Sequence, residues 1–509
     1  MAKPQEKLAE SLETLRTLQD QGRIAIHSAD LSRTHRERLL RGGFLQMVMK
    51  GWYIAVRPDA VGETNSWYAS FWDFCSEYLD HRFGEDWCLS PEQSISLHAG
   101  NRTVPTQLMV RSPRGSNSAT SLLHGTSLFD LRLEPPSEGD AIEQDGLRLY
   151  ALPAALIASS PRIFERAPTD VRVALTMVRD VSELLERLLD GGNSTIAGRL
   201  AGAFRNVGRN RIADDIVASM HSAGYSVREK DPFARRVELH LSHPSTSTAA
   251  DRIRIMWQQM RESVPGDFPN PPDRVDGEDD YLERVQETYA ADAYHSLSIE
   301  GYRVRSDLIE RVRSGDWNPD TIQRDSEHRD ALAARGYWQA FQMVQRSLRR
   351  ALQGENPGRV AEEDHGTWYR ELFAPSVAAG IVRAADLAGY RNGQVYIQGS
   401  MYVPLQSEAA RDAMPVFFDL LKSETEPSVR VILGHFLFVY IHPYGDGNGR
   451  LGRFLMNLML AAGGYPWTII PVQERDAYMD TLEVASVRGD LLPFTRFLAR
   501  LVERRSGDT

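Results

Sequence analysis

Residues 431–441 form an apolar run without strand-like alternation, which predicts a buried helix ending near His442. Residues 451–462 are apolar again and predict a second helix that starts near Arg450. The stretch between them is polar and glycine-rich. Upstream, residues 281–300 read as one helix with Gly301 as the C′ residue that stops it. Residues 264–280 are rich in proline, glycine and acid and read as a linker or ordered loop. Residues 170–223 read as helical with a break at Gly191-Gly192-Asn193. The pattern predicts a mainly α chain with small β elements.

Near the N-terminus, residues 8–21 give an amphipathic helix that stops at Gly22. Ser28 or Asp30 can cap a second short helix, and residues 32–40 read as a third. Residues 44–49 and 52–56, joined by Lys50-Gly51, read as a hairpin, and three helices followed by a hairpin is the order of a winged helix. The third helix region carries Arg33, Arg36, Arg38 and Arg41, so it is the one that would enter a DNA major groove. The competing reading is a solvated charged face on a small interaction domain.

The chain has 509 residues, enough for two to four domains, and its 42% hydrophobic and 25% charged content is that of a soluble globular protein. A net charge of −10 argues against a chain-wide nucleic-acid surface but not against a local one. Cys75 and Cys88 make no disulfide framework and no zinc spacing, so both are expected in the core. The apolar run at 431–441 is too short to span a bilayer, and with no leader pattern a cytoplasmic setting without membrane attachment is expected.

The chemistry concentrates in His442-Pro443-Tyr444-Gly445-Asp446-Gly447-Asn448-Gly449-Arg450-Leu451-Gly452-Arg453. Gly445, Gly447 and Gly449 let the loop take unusual backbone angles and bring amides close to a ligand. The free N–H groups of the following helix point into the loop. Arg450 and Arg453 are neighbours on one helical face, which suits a polyphosphate. Asp446 would repel phosphate unless a cation such as Mg²⁺ lies between. His442 can be a neutral base near pH 7. A calcium EF-hand fails, because Arg450, Leu451 and Asn457 stand where a ligand, a glycine and a glutamate are required. A P-loop fails because no Gly-Lys-Ser/Thr follows.

This segment resembles the signature loop of Fic-domain proteins, His-Pro-Phe-x-Asp/Glu-Gly-Asn-Gly-Arg-x-x-Arg, with Tyr444 in place of the usual phenylalanine. Gly389-Tyr390-Arg391 followed by Val395-Tyr396-Ile397 resembles the family's target-docking flap, a β-hairpin. Ser296-Leu297-Ser298-Ile299-Glu300-Gly301 matches the family's inhibitory motif and resembles the subgroup that carries it N-terminal to the loop. The resemblance implies an all-helical C-terminal domain and a protein adenylyltransferase. ATP would be the substrate, with its phosphates on Gly447, Asn448 and Gly449 and on Arg450 and Arg453, Tyr478 nearby, and Mg²⁺ on Asp446. His442 would deprotonate a Ser, Thr or Tyr hydroxyl of a target protein, held by the flap residues Val395, Tyr396 and Ile397. Glu300, with Ser296 and Gly301, would restrain Arg453. The same fold admits removal of AMP or transfer of another group. A homodimer also fits the resemblance.

Gln19-Asp20-Gln21-Gly22, Lys50-Gly51-Trp52-Tyr53, residues 89–98 and residues 146–157 resemble AbiEi-type antitoxins and related bacterial regulators. That likeness implies a bacterial source and a DNA-binding regulator whose C-terminal domain senses nucleotide. The expected division is 1–58 winged-helix-like, 59–262 regulatory, 281–334 inhibitory helix with connecting helices, and 335–509 Fic.

Overall fold

The computed structural model describes residues 4–58, 64–234, 247–272, 277–314 and 325–507. The chain divides into two compact units. One runs from Met1 to Leu241 and takes in Val395–Val403, and the other comprises Ser242–Gln394 and Pro404–Thr509. Residues 248–261, expected to end the regulatory region, therefore fall in the second unit.

The first unit begins with α1 (Pro4–Asp20), β1 (Ile26–His27), α2 (Arg33–Arg41), β2 (Leu45–Met49) and β3 (Trp52–Ala55). The hairpin forms as expected, with Leu45 opposite Ala55 and Gln46 opposite Ile54. The second short helix does not. Ile26 and His27 instead pair with Tyr53 and Trp52, giving a sheet in the order β1-β3-β2. Asp30 accepts from the His27 amide at 2.7 Å and closes a turn, while Ser32 caps α2 by accepting from the His35 amide. Two helices rather than three thus precede the hairpin, because the segment at Ile26 pairs its backbone with β3 and buries the Ile26 side chain in this small core.

Next come α3 (Asn65–Phe83), β4 (Cys88–Leu89), α4 (Pro91–His98), β5 (Gln107–Ser112), β6 (Ser118–Ser121), β7 (Ser127–Arg132), β8 (Ala141–Gln144) and β9 (Leu147–Tyr150). A four-stranded sheet runs β4-β5-β7-β6, with β5 and β7 parallel. Trp67, Phe71, Phe74 and Leu79 of α3 pack with Leu108, Val110 and Leu128 of this sheet. The buried Trp67 indole satisfies itself on the Thr126 hydroxyl at 3.0 Å. Cys75 and Cys88 are free and buried here, and burial pushes both thiols up, Cys88 to about 12. Six helices follow: α5 (Leu152–Ala158), α6 (Ile163–Arg166), α7 (Pro168–Met177), α8 (Ser182–Asp190), α9 (Ser194–Asn206) and α10 (Asn210–Ser222). They enclose a second apolar cluster that includes Leu184, Leu188, Leu200, Phe204 and Ile216.

The second unit is helical: α11 (Thr248–Arg261), α12 (Glu278–Ile299), α13 (Ser306–Ser314), α14 (Asp325–Leu352), α15 (Pro357–Ala378), α16 (Ser407–Ser423), α17 (Pro427–Ile441), α18 (Asn448–Ala462), α19 (Arg475–Arg488) and α20 (Leu492–Gly507). α17 is its central element, since Val429–Ile441 is buried almost throughout, which explains the apolar run without periodicity. α14 packs along α15, and α18 lies against α14, α15 and α17.

The expected β-hairpin at the flap is not formed, and no strand is assigned between 389 and 406. The backbone there is spent otherwise. Ser400 N–H closes a turn on Ile397 O at 3.1 Å, and Met401 O accepts from the Val104 amide at 2.9 Å. Val403 is buried in the aromatic core of the first unit, and Tyr396 is 37% exposed. No helix among the described residues is long and apolar enough to cross a membrane.

Candidate active site at the junction of α17 and α18

The end of α17 is unusual. His442 is its C-cap residue and sits in the left-handed region at φ 54°, ψ 59°. That conformation costs a non-glycine residue about 1–2 kcal/mol, so neighbouring bonds must hold it. The His442 amide donates to Phe438 O at 3.1 Å. Nδ1 lies 3.1 Å from the Val439 carbonyl, which can only accept, so Nδ1 carries the proton and Nε2 is the basic nitrogen. Burial lowers the pKa of the ring to about 4, with the Arg391 charge acting the same way and the Val439 bond, Glu300 and Asp446 opposing. His442 is therefore neutral at pH 7 and able to accept a proton.

The loop is locked by a side chain. Asn448 Oδ1 accepts from the Tyr444 amide at 2.9 Å and Nδ2 donates to Tyr444 O at 2.8 Å, and Asn448 is almost wholly buried. Asn448 thus offers only its backbone to a ligand. Tyr444 keeps the aromatic role, stacking on Tyr369 with centroids 3.9 Å apart. Of the three loop glycines only Gly447 has a positive φ, 80°, and an added Cβ would meet the Phe373 ring at 2.9 Å. Gly445 has an ordinary φ and open space around it, so the backbone role expected of it falls to His442 instead. Gly447 is the N-cap of α18, so the amides of Asn448, Gly449 and Arg450 begin that helix unbonded within it.

Asp446 Oδ1 takes both contacts of its carboxylate, from the Gly447 amide at 2.5 Å and from Arg450 Nη2 at 3.5 Å. The side chain is 64% accessible. Arg450 is 1% exposed, lies between the Tyr302 and Phe373 rings at 5.2 and 5.1 Å, and its Nε has no hydrogen-bond partner among the described residues. A buried guanidinium with an unused donor beside free helix amides suits a phosphate oxygen.

Arg453 is occupied. Nε donates to Ser296 Oγ at 2.8 Å, and Nη2 donates to Ser296 O at 3.0 Å and to Glu300 Oε1 at 2.7 Å. Burial works against the Glu300 charge, but Arg453 and then Arg450 outweigh it and hold the carboxyl below its usual range. Arg453 in turn is held above its usual range by Glu300, against burial. Glu300 is the C-cap of α12 and Gly301 follows at φ 84°, the helix stop expected.

Several members of this network were not expected. One helical turn before Ser296, buried Asp292 accepts from the Tyr337 hydroxyl at 2.7 Å, and burial lifts its pKa to about 6. His435 donates from Nδ1 to Gly452 O at 2.8 Å and lies 2.7 Å from the Tyr478 hydroxyl. Tyr478, expected beside the nucleotide, is 2% exposed and sits behind Arg453 as a support. The α12 register gave one usable signal, since Asp292, Ser296 and Glu300 recur every fourth residue and share a face.

The basic residues of α2 are largely committed. Arg36 donates to Ser28 O at 2.8 Å and Arg38 to Lys7 O at 3.2 Å. Arg33 and Arg41 are exposed but share Glu37, at 2.8 and 3.5 Å. The face expected to meet phosphates is thus partly spent on fastening α1 and partly neutralised.

The helices of the second unit close around a glycine loop, a neutral histidine and two buried arginines. Residues 361–460 match the family model described as Fic/DOC family. Protein adenylyltransferase Fic of Drosophila willistoni is 32% identical over 223 residues, covering 43% of this chain and 41% of that protein. Protein adenylyltransferase Fic of Nematostella vectensis is 42% identical over 224 residues, 43% of this chain and 48% of that one. The chain thus spans less than half the length of these relatives. They are animal proteins and lend no support to a bacterial source. A solved structure of residues 134–508 of Fic-1 from C. elegans aligns with TM-score 0.37 and 20% identity over 67% of this chain and 97% of that one.

Proposed function

We propose that this protein transfers AMP from ATP to a hydroxyl side chain of a target protein, itself included, and that Glu300 restrains the reaction. The observation that carries the reading is the geometry of His442: a half-buried imidazole whose Nδ1 lies 3.1 Å from the Val439 carbonyl, which leaves Nε2 to act, beside the N-terminus of α18 and two buried arginines. The relatives bearing the name protein adenylyltransferase support the same chemistry.

In this mechanism Nε2 of His442 takes the proton of a Ser, Thr or Tyr hydroxyl, and the oxygen attacks the α-phosphorus of ATP. The bond from that phosphorus to the bridging oxygen breaks and pyrophosphate leaves. The free amides at the start of α18, those of Asn448, Gly449 and Arg450, hold the phosphates, the unused Nε of Arg450 adds a donor, and Arg453, once released, takes the terminal phosphate. Positioning and charge stabilisation supply most of the acceleration in such transfers.

Asp446 fits Mg²⁺. Its carboxylate is accessible, both protein contacts fall on Oδ1, and Mg²⁺ is commonly held by one or two carboxylates with substrate phosphates. Among the described residues no cluster of three or more His, Cys, Asp or Glu offers a closed metal cage. The ion would neutralise triphosphate charge when bound.

Restraint follows from competition. A carboxylate 2.7 Å from Arg453 occupies the donor and repels an incoming triphosphate. The test is incubation of parent and Glu300→Gly with ATP labelled at the α- or the γ-phosphate, Mg²⁺ and a cell lysate. Label from the α-position on protein, stronger in the variant, is the expected result. Label from the γ-position would make the reaction a kinase-like one, and loss of AMP from modified protein by the parent alone would make removal its activity. No label from either donor would overturn the reading.

A further inference from the structure

Arg391 lies in an irregular stretch of the second unit, yet it is 7% exposed. Its backbone amide donates to Pro443 O at 2.9 Å. Its Nε donates to His442 O at 2.8 Å, Nη1 to Gly393 O at 2.8 Å and Nη2 to Leu405 O. A charged side chain is costly to bury unless its donors are filled, and here backbone carbonyls fill them. The choice of carbonyls is informative. One side-chain bond, to His442 O, and the backbone bond to Pro443 O fall on the turn that carries the base. The other two, Gly393 and Leu405, are the ends of the excursion 394–404.

His442 stands in the left-handed region, where L-residues are strained. Its ring direction follows that backbone, from which Nδ1 reaches Val439 O at 3.1 Å. Arg391 grips the carbonyl of the strained residue with its side chain and that of the next residue with its amide. We propose that Arg391 is the positioning residue of the base: it holds His442 in the left-handed conformation that aims Nε2, and it ties that conformation to both ends of the 394–404 excursion. The inference rests on the reading of His442 as the base.

The electrostatics agree. The groups whose charge acts on the His442 ring are Arg391, which disfavours its protonation, and Glu300 and Asp446, which favour it. Removing the guanidinium therefore raises the midpoint of the ring as well as loosening its aim.

The test uses the full chain carrying Glu300→Gly, with Arg391→Met and Arg391→Lys added singly. Three quantities are measured: kcat and KM for AMP transfer, ATP affinity by calorimetry, and the His442 midpoint by NMR of ring-labelled histidine. Misplacing a reacting group by about 1 Å can cost about a hundredfold, so kcat should fall at least tenfold in both variants. ATP affinity should stay within about threefold of the parent, because neither the α18 amides nor the two loop arginines are touched. The His442 midpoint should rise in Arg391→Met and move less in Arg391→Lys, which keeps the charge. Unchanged kcat and midpoint would overturn the proposal. So would a fall in ATP affinity that parallels kcat, the mark of a general loss of the loop. If Arg391→Met fails to fold, Arg391→Lys decides through the split between kcat and affinity. If the Glu300→Gly parent transfers no AMP, the functional reading fails, and the NMR midpoint still decides whether Arg391 governs His442.

Discussion

Glu300 leaves no room for a side chain at Gly449: a methyl group there would collide with Oε1 and crowd Arg453 Nη1 at 3.3 Å. The carboxylate therefore lies directly against Gly449 in the first turn of α18. In the parent, Gly449→Ala should destabilise the protein by about 1–3 kcal/mol, as overpacking does. In the Glu300→Gly background the same change should be neutral or stabilising, because alanine is about 1 kcal/mol better than glycine inside a helix. Denaturant melts of the four proteins check this, and simple additivity would show that the two residues do not touch in solution.

Releasing Arg453 should raise AMP transfer. Losing one charge-assisted hydrogen bond shifts a balance by about 1.5–3 kcal/mol, so Glu300→Gly should be roughly ten- to a hundredfold more active. Arg453→Ala should not reproduce the gain, since the terminal phosphate loses its donor together with the brake. Rates with labelled ATP separate the two.

The base and its backbone can be tested together. His442→Ala and His442→Asn should both lose AMP transfer while retaining ATP binding. Asparagine tolerates positive φ far better than alanine, so His442→Asn should melt higher, by about 1 kcal/mol of stability. Equal melting would mean that position 442 is not left-handed in solution.

Acid should weaken the fold through His435. Burial lowers its pKa to about 4 from 6.5, so it is neutral in the native state and protonated sooner in the unfolded chain. Its contribution is complete above pH 6.5 and is lost as pH falls towards 4. His442 behaves alike, so the parent should lose stability steeply across that window. His435→Gln should be less stable at pH 7 yet show a shallower decline, read from melting temperatures at each pH.

Asp446→Ala should remove most of the Mg²⁺-dependent AMP transfer, because uncompensated triphosphate charge would then face the loop. A Mg²⁺ titration of the rate is the measurement, and an unchanged half-saturation point would remove Asp446 from the metal site.

Much of this site was legible because its parts are contiguous. His442, Asp446, Arg450 and Arg453 sit within one loop and one helical turn, and Glu300 closes a helix whose stop, Gly301, is visible in the sequence. The α17 run was equally plain, since a helix buried on every side has no polar face to write. The polar supports were not visible. His435 hides inside that same apolar run, and its partners Gly452 and Tyr478 come from 17 and 43 residues away. Asp292 and Tyr337 are 45 residues apart. Such pairs exist only after packing, when each buried polar atom must find whatever donor the neighbouring helix brings.

Two readings went astray for related reasons. Ser28 and Asp30 have the chemistry of helix caps, but Asp30 spends it on a turn that lets β1 pair with β3. The flap motif reads as a hairpin, but its backbone bonds elsewhere. In both, local propensity was right about the residue type and tertiary pairing chose another partner for it.

The position of Glu300 has a consequence for timing. It caps the C-terminus of α12, and the buried Asp292–Tyr337 bond lies two turns behind it, about 12 Å at 1.5 Å per residue. Fraying the terminal turn withdraws the carboxylate while Ser296 still holds the arginine in place, and such fraying is among the fastest and least costly motions a folded chain makes. The proposed restraint is thus set by an opening equilibrium of a few residues, so its strength should follow temperature and ATP concentration continuously rather than switch at a threshold.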